Sequence, residues 1–145
     1  MALSLLEIRV ANVYKDLDVR ILVEEQKDRL ILQHLMYLFQ RGGWDLGFRF
    51  RWYDHGPFCP RLSEVYYAIA RVSVDDLPPV VIDPIKADRY QHSLTQAKSI
   101  VHRCATLAGI DPLPPTFGEC ICAVATLDYI RTVRREILWV GPCLD

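Results

Sequence analysis

Leu46-Gly47-Phe48-Arg49-Phe50-Arg51-Trp52-Tyr53-Asp54-His55-Gly56-Pro57 is the stretch on which the fold turns. Phe48, Phe50 and Trp52 alternate with Arg49, Arg51 and Tyr53. Successive strand side chains point to opposite faces, so this period of two predicts a short, half-buried strand over 47–53. Its aromatic parity is expected to face a core, which sends Arg49, Arg51 and Tyr53 outward. Gly56-Pro57 then breaks the strand, because glycine opens turn conformations and proline cannot donate to a ladder.

On both sides of this stretch the pattern becomes helical. Upstream, roughly Val19 to Arg41 reads as one long helix stopped by Gly42-Gly43. Within it Ile31, Leu32, Leu35, Met36, Leu38 and Phe39 form one stripe at about 100° per residue, with Gln33, His34, Tyr37, Gln40 and Arg41 on the other side. Ser4-Leu5-Leu6-Glu7 has the spacing of a capping box and starts a short N-terminal helix. Downstream, Arg61 to Val72 presents Leu62, Val65, Tyr66 and Ile69 on one face, with Pro60 near the first turn. A loop or short strand follows through Val80-Val81-Ile82, and a polar-rich helix runs from about Ile85 to Leu107. Thr116-Phe117-Gly118-Glu119 again has capping-box spacing, and from Cys120 to Ile130 the last helix is apolar nearly all round. A helix without a polar face belongs in the middle of a bundle. The expected fold is therefore mostly α: a compact helical domain with a small strand or hairpin element near residues 47–53.

Length and composition bound the rest. A chain of 145 residues, 51% hydrophobic and 24% charged, is one globular domain's worth and can bury a core unaided. The two proline clusters, 77–79 and 111–115, are short enough to be loops, so residues 1–145 read as a single domain. A formal net charge of -1 gives the chain as a whole no affinity for a polyanion. The N-terminus lacks a basic region followed by an apolar one, and no run reaches the ~18 apolar residues of a membrane span. Cytoplasmic localisation, no membrane partner and reduced thiols at the five cysteines are the corresponding expectations.

Two stretches carry a family resemblance. Leu32-Gln33-His34-Leu35-Met36-Tyr37-Leu38 precedes the stretch from Leu46 to Leu62, which contains Trp52-Tyr53-Asp54-His55-Gly56-Pro57-Phe58-Cys59-Pro60-Arg61-Leu62, and Glu119 to Ile130 includes Leu127-Asp128-Tyr129-Ile130. Their order resembles the SocA-like (Panacea domain) family. There an L-Q-K-L-x-Y-L helix leads to a W-Y-x-x-G-P-Y-S-x-x-L strand and turn, and an L-E-x-L-A-S-L-x-Y-L helix closes the domain. His34 stands where that family usually has lysine, Phe58-Cys59 replaces Tyr-Ser, and Asp128 occupies a position that is often histidine. The resemblance implies a helical antitoxin-type or adaptor scaffold, often phage- or prophage-borne, that neutralises a toxin or other target protein by direct contact.

Candidate residues concentrate where aromatic, basic and turn side chains meet. Arg49, Arg51, Tyr53, Asp54, His55 and Arg61 are the expected contacts with a protein partner, since Trp, Tyr and Arg dominate interface hot spots. The competing account is a structural strand with solvated arginines. Cys59 with Asp54, His55 and His34 matches no catalytic signature, so no catalytic residue is assigned and the chain is read as a non-enzyme. Cys120 and Cys122, like His102 and Cys104, are two apart on a helix and point about 200° from each other. Neither pair can share one ion, so no metal and no cofactor is assigned. Asp128 in an apolar helix needs a partner, which an arginine elsewhere in the bundle would supply, unless the helix carries it to the surface. Arg131, Arg134 and Arg135 suit a helix C-terminal end. A nucleic-acid-binding regulator with a winged-helix-like arrangement, using Arg49, Arg51, Arg61 and Arg71, ranks second. Against it stand Asp54, Glu64, Asp75 and Asp76.

Overall fold

The computed structural model describes residues 2–72, 76–110 and 116–140, and of residues 109–110 and 134–140 the backbone alone. The proline segment 111–115 and the Arg134 and Arg135 side chains lie outside the described residues. The fold is mostly helical with one small hairpin: α1 (Leu5–Asp16), α2 (Gln26–Arg41), β1 (Arg51–Tyr53), β2 (Gly56–Phe58), α3 (Pro60–Ala70), α4 (Ala87–Ile110) and α5 (Phe117–Val140). α1 packs on α3 and α4 on α5, while α2 touches α3, α4, α5 and β2. Two adjoining cores result. One joins Val10, Tyr14, Met36, Phe39, Leu62, Tyr66 and Leu94; the other joins Leu35, Leu38, Cys104, Ile121 and Ala125.

Local signals set the helix starts. The Ser4 Oγ accepts from the Glu7 N–H at 3.2 Å and the Glu7 carboxylate accepts from the Ser4 N–H at 3.0 Å, a closed capping box. Pro60 opens α3, and Thr116 Oγ1 accepts from the Glu119 N–H at 3.2 Å at the head of α5. The long helix expected from Val19 begins only at Gln26. Asp18 takes φ 58° after α1, and the chain then runs extended, with Val19, Ile21 and Val23 packed on the core between exposed Arg20 and Leu22. That is a period of two, not 3.6. Val80–Ile82 forms loop, not strand.

The centre of the bundle is α2 and not α5. Every residue from Leu32 to Phe39 is buried, including Gln33, His34 and Tyr37 of its expected polar side. By contrast α5 leaves Leu127 67% and Ile130 47% exposed. Polar side chains can occupy a central helix when their hydrogen bonds are made inside the protein. Gln33 meets that condition: its amide N–H donates to Cys59 O at 3.0 Å and to Ser63 Oγ at 3.1 Å, and its carbonyl accepts from the Cys59 N–H at 2.9 Å. Tyr37 meets it through Asp128.

β1 and β2 pair antiparallel, Arg51 with Phe58, Trp52 with Pro57 and Tyr53 with Gly56. Gly56 and Pro57, expected to break the strand, instead open β2, and the chain reverses at Asp54-His55, because Gly56 with φ 101° lets the return strand start at once. The strand is shorter than 47–53 because the Gln40 side chain takes the place of a neighbouring strand for residues 46–48. Its carbonyl accepts from the Leu46 and Phe48 N–H groups at 3.0 and 3.2 Å, and its amide donates to Phe48 O at 2.9 Å. Phe48 is buried as the alternation requires, and Phe50 is half-buried. Trp52 departs from it, 52% exposed, because its indole lies over the Tyr129 ring of α5 at a centroid distance of 6.0 Å and not within the core.

Candidate functional site

The hairpin corner is fastened to the body from beneath. Gly56 has φ 101°, and a Cβ there would lie 2.6 Å from Thr126 Oγ1, so only glycine lets the turn approach α5 this closely. The Cys122 thiol donates to His55 O at 3.4 Å, and Gln33 holds the backbone of Cys59 where β2 passes into α3. Under the turn lies His34, with no exposed surface and, among the described residues, no hydrogen bond at either ring nitrogen. Burial brings its pKa down to about 4, and the neighbouring His55 backbone offsets only part of that effect.

Above this seat the six expected contact residues, Arg49, Arg51, Tyr53, Asp54, His55 and Arg61, are all exposed. They do not form one cluster. Tyr53, Asp54 and His55 border a cleft of about 280 Å³ whose walls include Leu30, Phe58, Tyr66 and Tyr67. Arg49 pairs with Asp45 at 3.3 Å and lines a separate depression with Tyr37, Gln40 and Arg41. Arg51 and Arg61 form no ion pair among the described residues. His55 also borders a larger apolar groove, about 700 Å³, between the start of α2 and α5, lined by Leu30, Cys122, Ala123 and Leu127. The hairpin tip is thus a ridge between two concavities. Their apolar walls were not visible in the sequence, because Leu30, Tyr67 and Leu127 come from three different helices.

Asp128 has the arginine partner that its burial demands. Its carboxylate accepts from Arg41 Nε at 2.8 Å, Tyr37 Oη at 2.7 Å and the Arg131 guanidinium at 3.1 Å. Burial alone would raise the carboxyl; the hydrogen bonds from Tyr37 and Arg41, with the Arg41 charge, overcome it and hold Asp128 below its ordinary value. The cluster ties α2 to α5.

The thiols are dispersed. Cys59 is buried at the start of α3, whereas Asp54 and His55 project from the turn, so nucleophile and base are not gathered. Cys104 meets Cys120 across α4 and α5, a pair the sequence did not suggest. Burial first, and then that contact, pushes the Cys104 thiol up to about 12, away from nucleophilic use. Among the described residues no three His, Cys, Asp or Glu side chains gather as a metal site would require, and no helix is long and apolar enough to cross a membrane. Comparison with known proteins finds no matching family model, no matching curated protein and no matching solved structure, so the likeness to the SocA-like family rests on the quoted motifs alone.

Proposed function

We propose that the chain is a non-catalytic, cytoplasmic protein-binding domain that uses the hairpin corner to occlude a target protein, in the manner of the antitoxin-type scaffolds its motifs resemble. The observation supporting this is the pairing of a fastened base with an exposed crown. Tyr53, Asp54 and His55 are exposed at a turn held by Gly56, Gln33 and Cys122, Arg51 is exposed on β1 and Arg61 on the first turn of α3, and neither arginine has a carboxylate partner among the described residues. Contact residues already fixed in place lose less entropy on binding. Unpaired guanidiniums beside tyrosine favour an acidic protein surface.

The test is co-expression with the product of the adjacent gene. If that product alone arrests growth, this chain should restore growth and co-purify with it. Arg51→Glu should weaken binding by about 30-fold or more, as a hot-spot loss of ~2 kcal/mol requires. The melting temperature should move by less than about 4 °C, because the side chain is exposed. Unchanged binding removes the strand face from the interface. Affinity for nucleic acid falling steeply with salt would replace this reading with the regulator alternative.

A further inference from the structure

We propose that the outward face of α5 joins two copies of this chain, helix against antiparallel helix. At 100° per residue, positions 119, 123, 127, 130 and 131 share one side of α5, and all five are exposed. A solvent-facing stripe on a helix is ordinarily polar. This one carries Ala123, Leu127 and Ile130 along its middle, beside the groove of about 700 Å³ that Ala123 and Leu127 help to line.

The occupant follows from symmetry. A twofold interface brings one patch against itself, so the patch must be self-complementary. Place the axis across α5 at the level of Ala125. Position 119 then lies level with position 131 of the second copy, and 123 with 127. Glu119 meets the Arg131 guanidinium of the other copy, twice by symmetry. Leu127 meets Ala123, a large side chain over a small one, with the groove alongside to receive it. One rotation therefore satisfies both charge and size. Arg131 already touches Asp128 at 3.1 Å, yet its side chain is 67% exposed and retains further N–H donors for a second carboxylate.

Sedimentation equilibrium of the full chain tests it. The expected result is a concentration-dependent mass rising to twice 16.7 kDa. Leu127→Glu should return the monomer mass with an unchanged helical circular dichroism signal, because Leu127 is exposed. If that variant loses its helical signal, the charge pair decides the matter: Glu119→Arg should weaken the dimer about tenfold or more, and adding Arg131→Glu should recover most of the loss. A chain that stays monomeric at concentrations on the order of 100 µM overturns the proposal and leaves the face to a foreign protein. A dimer indifferent to Leu127→Glu, or a double charge exchange no better than the single one, overturns it equally.

Discussion

His34 is an imidazole with no exposed surface and no hydrogen bond among the described residues, close to Gly56. Such a group folds as the neutral form, and its folded pKa of about 4 lies below the unfolded value near 6.5. Between those two values the unfolded chain binds more protons than the folded one, so stability falls as pH drops from about 6.5 toward 4. The shift corresponds to a loss on the order of 3 kcal/mol across that window. Replacing the imidazole by an apolar group of similar volume removes the titration, so His34→Leu should flatten this limb in urea melts at a series of pH values. An equal slope in wild type and variant would place the acid sensitivity elsewhere. The sequence placed His34 on a polar flank because a helical wheel gives angular position alone; that a hairpin would cover that flank was not in the wheel.

At the scale of elements, α2 works as a scaffold with polar brackets. Gln33 and Gln40 each present an amide to backbone in the segments that follow, Gln33 to Cys59 between β2 and α3 and Gln40 to residues 46–48 before β1. Gln40→Ala would strip three bonded backbone groups of residues 46–48, leaving partly buried N–H and C=O groups unpaired. Such groups cost about 1–3 kcal/mol. A fall in stability of that size is expected, with faster hydrogen exchange at the Leu46 and Phe48 amides; protection unchanged at both would show that the bracket contributes nothing. The capping signals of α1 and α5 were legible because each is satisfied within four residues, and Pro60 marked the start of α3 through its own fixed backbone angle. The start of α2 was misread for the complementary reason: Val19, Ile21 and Val23 are apolar in both periods, and their packing on the core selected the extended one.

Across the whole molecule the halves of the bundle meet at Asp128, whose carboxylate collects Arg41 and Tyr37 from α2 and Arg131 from its own helix. Removing it strands a tyrosine hydroxyl and an arginine together, so Asp128→Ala should lower stability by about 1–3 kcal/mol, read from denaturant midpoints. Because the folded carboxyl titrates below its unfolded value, its contribution is present above about pH 4 and is lost as pH falls further. Loss of less than a few tenths of a kcal/mol would make the cluster a solvated ornament of the surface. The need for this tie was visible in one line of sequence, a carboxylate among apolar neighbours, whereas its partners were not. The amino-acid sequence by itself determined the helical class, the capped starts of α1 and α5 and the exposed crown of the hairpin, because each depends on periodicity or on contacts a few residues long. Only the tertiary structure decided that α2 and not α5 occupies the middle, that His34 is sealed, and that an apolar stripe of α5 faces outward. Those outcomes depend on which helix faces are covered by segments far away in the chain, and no local pattern records that.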